Sequence, residues 1–428
     1  MESVFRLLGQ RRFLPIFATQ FLGAFNDNLF KLAMVTLVTF HIYDDPKVEA
    51  QFSALASALF ILPFFLFSAV AGQLADGRDK AKLVRIIKSV EIVIMVVGGA
   101  GLLIQSIPLM LLALFAMGVH STFFGPIKYA ILPQHLDEDH VLAGTGLVEA
   151  GTYIAILGGT VLGGLTGTAW LPVEWAAAGV LIVAIVGRIT AHFVPHAPPQ
   201  SGAEKVPIAL GLVRPTIDLV RQIIRVPRIK MAIISISFFW AIGAVMAAQF
   251  PPLVKNALSA DQTVATIFLS MFSIGVAVGS VAVNRLLKGH VSARYSPISV
   301  LFMGLFVLDL WWCVRGWSHH GGELAGWREF LSHFEGKRIL VDLFGISVAG
   351  GMFVVPLYAF LTITVPKTET ARTIAVNNII NSGFMVLASL LLLVLTGIGV
   401  TVADTLLMVA IATIVAAWIA QKLHRLCD

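Results

Sequence analysis

Charged residues are scarce here. Asp, Glu, Lys and Arg make up 13% of the 428 positions, against about 25% in an ordinary soluble domain. With 57% of the residues hydrophobic, a water-soluble fold is excluded, because apolar side chains would have to form its surface. Cysteine is nearly absent as well. Cys313 and Cys427 are the only two, and they imply no disulfide framework. The sequence contains no GxxxxGK[ST] phosphate loop, so direct use of ATP is not expected. Nor does it hold a metal-spaced His/Asp cluster or a nucleophile with a nearby base, so no enzyme, cofactor or resident metal is expected.

What the sequence does have is long apolar runs. About 20 apolar residues cross a hydrocarbon core of roughly 30 Å, and twelve such runs lie near 13–40, 52–75, 83–104, 107–132, 142–168, 170–194, 229–253, 263–287, 296–316, 339–364, 373–397 and 399–421. The first is too long, and too polar at its centre, for a cleaved signal peptide. With the N-terminus inside, the N-terminal tail, the 2–3, 6–7, 8–9 and 10–11 loops with their adjoining span ends, and the C-terminal tail hold 21 of the 30 Lys and Arg. The outer loops hold six, namely Lys47, Lys255, Arg315, Arg328, Lys337 and Arg338, while Lys31, Lys128 and Arg188 fall deeper within spans. Basic residues concentrate on the cytoplasmic side of membrane proteins, so both termini are expected there. The acidic 4–5 loop from His135 to His140 runs against this trend, but acids count little in that rule. The net charge of +6 is thereby explained by topology and gives no reason to invoke nucleic acid.

The segment from Pro195 to Lys230 carries six prolines and is the one long polar interruption near the middle. It divides six spans from six and predicts a bundle over 1–195, a cytoplasmic linker over 196–228 and a second bundle over 229–428. An internal repeat supports the division. "FFGPIKYAILP" from Phe123 leads into "AGTGLVEAG" from Ala143, and "FVVPLYAFLTITVP" from Phe353 leads into "AVNNIINSG" from Ala375. Pro126 then matches Pro356, and Glu149 matches Asn381. The expected fold class is an all-α membrane protein with the major facilitator plan of twelve transmembrane helices in two six-helix bundles.

The 2–3 loop, "GQLADGRDKAK" from Gly72, is similar to the cytoplasmic loop motif of that superfamily. There Gly allows close helix approach, and the Asp caps or pairs with basic residues to stabilise one gating state. Asp76 and Arg78 are the gating candidates. Gly77 and Asp79 stand where the motif usually has Arg and Gly, and an ordinary basic inner loop is the other reading.

Ionisable groups at bilayer depth are costly and usually face a cavity or a partner. In the first span, Gln20, Gly23, Asp27 and Lys31 share one helix face, with Asn28 beside Asp27. Asp27 and Lys31 are spaced to pair with each other at i, i+4. Span 4 carries His120, Phe124 and Lys128 on one stripe before a Gly-Pro break, and span 5 carries Thr145, Glu149 and Thr152. A Lys128–Glu149 salt bridge is the structural expectation, and a substrate or gate contact is the functional one. Asn377, Asn378 and Asn381 in span 11 offer amides for substrate or for helix contacts. The Gly159, Gly163, Gly167 series and the Gly275, Gly279 pair predict packing surfaces. Asp309 and Asp342 receive no role.

"QFLGAFNDN" from Gln20, "GPIKYAILP" from Gly125, "GLVEAGTYIAILGG" from Gly146, "GGMFVVPLY" from Gly350 and "ARTIAVNNIINSG" from Ala371 together resemble the bacterial lysophospholipid transporter (LplT) family of the major facilitator superfamily. They equally resemble the membrane domain fused to acyltransferase and acyl-ACP synthetase modules in some bacteria. The resemblance runs from about residue 12 to 420 and is strongest in spans 1, 4, 5, 10 and 11. It implies movement of lysophospholipids, such as lysophosphatidylethanolamine and lysophosphatidylglycerol, across the bacterial inner membrane for reacylation on the cytoplasmic side. It points to Asp27 as functionally important and maps the family's span 4 lysine to Lys128. The fused enzyme modules are not expected within this sequence, since none of the eleven histidines begins a His-x4-Asp acyltransferase motif.

Asp27 is then expected to meet an ethanolamine ammonium or a coupling cation, Na+ or H+, and Lys31 or Lys128 a phosphate. His120, Glu149, Asn28 and the three span 11 asparagines complete the candidate substrate-binding set. Two alternatives stay open: a major facilitator transporter of another small solute, and a non-transporting membrane partner of a phospholipid acyltransferase.

Overall fold

The structure is a computed structural model describing residues 6–38, 42, 46–167, 171–199, 214–317 and 324–427. Residues 200–213 of the expected linker, and the side chains of Lys47 and Cys427, lie outside the described residues.

Twelve long helices follow one another: α1 (Leu14–Leu37), α2 (Pro46–Gly77), α3 (Lys80–Leu103), α4 (Ile107–Ala130), α5 (Glu138–Gly164), α6 (Val173–His192), α7 (Pro227–Pro252), α8 (Gln262–Leu286), α9 (Ser296–Arg315), α10 (Phe334–Thr364), α11 (Thr370–Gly397) and α12 (Thr405–Cys427). All except α1 have a stretch apolar enough to cross a membrane. In α1 the intervening Gln20, Asn26, Asp27, Asn28 and Lys31 lower the average. An unbroken helix is the natural solution in lipid, because it satisfies every backbone polar group internally. Among the described residues no β-strand forms, only the isolated bridges Thr166 to Leu171 and Ala260 to Ala325.

Local chemistry sets the helix ends. Proline occupies the first turn of α1, α4, α7 and α9, where its missing N–H costs nothing. Asp79 caps α3 by accepting from the Ala81 and Lys82 amides, and Asp261 caps α8 through Thr263 and Val264. Some ends differ from the apolar runs. Helix α5 starts at Glu138 instead of 142, because Glu138 and Asp139 suit a helix N-terminus. Helix α12 starts at Thr405 instead of 399. Gly399 adopts a positive φ of 91°, and Thr401 donates to Asp404 in a separate turn.

The chain divides into two compact units, Met1–Arg225 with Leu361–Ile379, and Val226–Phe360 with Ile380–Asp428. Helix α11 therefore contributes to both. In the first unit α1 packs on α5 and α6, α2 on α4, and α3 on α4 and α6. Its core gathers Leu29, Phe30, Met34, Met95, Met110 and Met117. Gly159 and Gly163 bring α5 onto α1: a Cβ at Gly159 would stand 2.3 Å from the Phe25 carbonyl oxygen, and one at Gly163 2.7 Å from that of Leu29. Gly167 falls beyond the end of α5 with a φ of 83°. In the second unit α12 packs on α9 and α7, and Gly279 abuts the Val348 carbonyl of α10.

Candidate functional site

Helix α1 presents its polar side chains to three neighbours. Gln20 faces α5, where Thr152 donates to its Oε1 at 2.9 Å and its Nε2 donates to the Val148 carbonyl at 3.4 Å. Gly23 faces α3, with room beside it for the Lys88 ammonium, 3.5 Å from where a Cβ would lie. Asp27 faces α4 and accepts from the Ser121 hydroxyl at 2.5 Å. Its Oδ1 is sealed from solvent and holds no hydrogen bond. Asn28 donates to the Ala24 carbonyl of its own helix at 2.8 Å.

The expected Asp27–Lys31 pair does not form. The Lys31 ammonium lies over the Phe60 ring of α2, 5.6 Å from its centroid, a cation–π arrangement. The expected Lys128–Glu149 salt bridge is also absent, because Tyr129 intervenes. Its hydroxyl donates to Glu149 Oε1, and the Lys128 ammonium rests 4.8 Å from the centroid of the same ring. Helical spacing shows which residues share a face, but not which way a long side chain turns.

Sequence reasoning missed two fully buried charges in this unit. Lys88 and Glu91 of α3 are both fully buried and in direct contact as an ion pair. Asn26 Nδ2 donates to Glu91 Oε1 at 3.0 Å, and His120 Nε2 lies 3.2 Å from Glu91 Oε2. Glycine makes the space for Lys88: a Cβ at Gly187 of α6 would stand 2.9 Å from its ammonium nitrogen. The available signal was a lysine and a glutamate at i, i+3 inside an otherwise apolar run. Arg188 of α6 donates from Nε to Ser89 at 2.8 Å.

The three asparagines of α11 divide between the two units. Asn377 and Asn378 belong to the first unit and Asn381 to the second. Asn378 approaches Gly125, where a Cβ would lie 3.2 Å from its Nδ2. Asn381 accepts from Ser237 at 2.7 Å, and its amide reaches the Tyr358 hydroxyl at 3.5 Å. Trp240 donates to that hydroxyl at 2.7 Å.

The 2–3 loop is built around Asp76, which is buried. It accepts from the backbone amides of Ala371 at 2.9 Å and Arg372 at 3.0 Å, and from Arg372 Nε at 3.0 Å. These amides belong to the first turn of α11, where orphan N–H groups and the helix dipole favour an anion. Gly72 permits the approach, since a Cβ there would meet that of Ala375 at 2.6 Å. Arg78 is exposed and has no ion pair among the described residues. Asp79, one of the departures from the loop motif, has a place of its own. Burial alone would raise its carboxyl, but hydrogen bonds from His196 and the amides of Ala197, Lys82 and Ala81 outweigh that and hold it below the usual carboxylate range.

In the second unit, ligand atoms of Asp309, Cys313 and Asp342 lie within 4.8 Å of one another. Arg338 donates to both oxygens of Asp309, from Nε at 2.9 Å, so a guanidinium already serves that carboxylate and the trio is a poor metal site.

Comparison with known proteins agrees with this architecture. The Major Facilitator Superfamily description matches residues 16–389. Proteins named lysophospholipid transporter LplT are similar along most of their length. That of Citrobacter koseri is 27% identical over 90% of this chain and 89% of its own, and that of Escherichia coli O157:H7 is 25% identical over 96% of each. Among solved structures, the human organic anion transporter MFSD10 aligns with a TM-score of 0.76 at 11% identity, covering 96% of this chain and 99% of that one. The E. coli fucose:proton symporter aligns at 0.70 and 12%, covering 96% and 98%. At those identities the structures speak for the fold alone. Twelve long helices, a 2–3 loop folded onto the start of α11 and a family match over most of the sequence lead to one conclusion: the chain is a membrane transporter belonging to the Major Facilitator Superfamily.

Proposed function

We propose that this protein is a secondary-type transporter, a flippase, that moves lysophospholipids across the bacterial inner membrane towards the cytoplasmic leaflet for reacylation. One observation carries the reading. Asp27 keeps a free, sealed carboxylate oxygen, while Lys31 and Lys128 rest on aromatic rings instead of pairing with acids. Both signs of charge are therefore available to a headgroup. Asp27 meets the ammonium of a lysophosphatidylethanolamine, and Lys31 and Lys128 meet the phosphate. His120, Asn28, Glu149, Asn377 and Asn378 complete the substrate-binding set of this half, and Asn381 serves in the second half. The names of the similar bacterial proteins support the substrate class.

The cycle is alternating access between six-helix halves over 1–195 and 229–428, joined by the cytoplasmic linker over 196–228, with both termini in the cytoplasm. Asp76 latches the start of α11 in one state of that cycle, and Arg78 contributes at the same loop. Product would pass to an acyltransferase or acyl-ACP synthetase at the inner leaflet. The test is uptake of labelled lysolipid into vesicles reconstituted with wild type, Asp27→Asn and Lys128→Ala at matched protein levels, with and without Na+ and proton gradients. Strong loss in both variants is expected. Full activity in both would overturn the reading.

A further inference from the structure

Glu91 of α3 contacts the residue next to each partner of the Asp27–Ser121 hydrogen bond. On α1 it accepts from Asn26, the residue before Asp27, at 3.0 Å. On α4 it lies 3.2 Å from Nε2 of His120, the residue before Ser121, and Ser121 is the donor to Asp27 Oδ2. The direct link between α1 and α4 is thus doubled, one position back, by a bridge through α3. All three helices belong to the first unit.

Successive residues on a helix point about 100° apart, so the two links leave α1 in different directions from nearly the same height. One link alone would let α1 turn about its axis, and two fix its rotation. Asp27 Oδ1 depends on this, being buried with no hydrogen-bond partner. Buried carboxylate oxygens are usually paired, and a helix free to turn would carry this one to a donor. Glu91 is itself held by Lys88, in direct contact, and Gly187 of α6 leaves the space that Lys88 fills. The charges of Lys31 and Lys128 also reach Asp27, but both ammonium groups rest on aromatic rings and do not set the direction of the carboxylate.

We propose that Glu91, braced by Lys88, is a positioning residue for Asp27: through Asn26 and His120 it fixes the rotation of α1 against α4, so that Asp27 Oδ1 stays open to the ammonium of a lysolipid. The inference rests on the lysolipid reading above. A carboxylate already held in place binds its cation without first reorganising, which favours affinity. An anionic lysolipid without an amine has no ammonium to place there. The brace thus acts on the choice between headgroups, beyond holding three helices together.

The experiment measures uptake of labelled lysophosphatidylethanolamine and lysophosphatidylglycerol by reconstituted full-length protein, comparing wild type with two double variants. Lys88→Met with Glu91→Gln and Lys88→Met with Glu91→Leu both remove the buried charges, but only glutamine keeps an acceptor for Asn26. The leucine variant is expected to show a KM for lysophosphatidylethanolamine about tenfold higher, as for one lost hydrogen bond, with that for lysophosphatidylglycerol little changed. The glutamine variant should stay near wild type for both lipids. Double variants that behave alike, or a leucine variant impaired equally for the two lipids, overturn the positioning role and leave the substrate reading standing. Wild-type vesicles that move neither lipid overturn both. Should the leucine variant fail to fold, Asn26→Ala removes the donor with the Lys88–Glu91 pair intact. The same selective rise is then expected, and its absence overturns the proposal.

Discussion

Asp76 and Arg372 meet twice: the backbone amide and the side-chain Nε of Arg372 both donate to Asp76 Oδ2, each at 3.0 Å. One carboxylate thus caps a helix and neutralises a guanidinium in the same place. Removing one partner of a buried pair costs about 3–5 kcal/mol. Asp76→Ala is therefore expected to lower the Tm in detergent by many degrees, and Asp76→Asn, which keeps an acceptor for the amides, by clearly less. Equal shifts for the two would show that the capping bonds contribute nothing.

Gly72 gives a steric version of the same test. Adding a methyl group at Gly72 sets it against Ala375 and the Arg372 backbone, and overpacking of this kind costs about 1–3 kcal/mol. Gly72→Ala is expected to expose the start of α11, read as faster amide hydrogen exchange at Ala371 to Thr373 than in wild type.

Tyr129 holds Glu149 while supporting Lys128. Tyr129→Phe strips the acid of its donor while keeping the ring, and an unsatisfied buried group costs about 1–3 kcal/mol. In a double-mutant cycle with Glu149→Gln, measured by thermal unfolding, the two changes should be strongly non-additive. Additive losses would mean that the hydroxyl and the acid act independently.

The Lys88–Glu91 pair makes a contrasting case. Lys88→Met alone leaves Glu91 buried and uncompensated, with an expected loss of about 3–5 kcal/mol, whereas Lys88→Met with Glu91→Gln should recover most of it. Yield of folded protein and Tm are the measurements. A double variant no better than the single one would contradict the pairing.

For Asp79 the sign of the pH effect follows from its depressed carboxyl. A group more acidic in the folded state contributes stability that is complete above the unfolded value, about 3.9, and disappears as pH falls through the lower folded value. Asp79→Ala is expected to cost about 0.5–2 kcal/mol near neutrality through the lost cap. The Tm curves of variant and wild type should converge below pH 4, and a gap that persists there would exclude the ionised cap as its source.

The fold was legible because twelve long apolar runs are strong local signals, and the twelve helices occupy those runs. The polar stripe of α1 was legible for the opposite reason, as an interruption of such a run. Side-chain pairing was not. Lys31 and Lys128 each had an acid at a plausible spacing, yet both ammonium groups settled on aromatic rings, a choice made by neighbours that no helical period encodes. Glu91 escaped notice because two of its partners, Asn26 and His120, come from α1 and α4, and the Lys88–Glu91 spacing within α3 does not point to them. The α11 amides form one stretch in sequence, and that stretch did not show that Asn381 would bond Ser237 and reach Tyr358.

The glycines at 159 and 163 leave α1 and α5 in contact backbone to backbone. Two helices seated so closely have no side-chain layer that could part to admit an acyl tail. If a lipid enters this unit sideways from the bilayer, that seam stays shut.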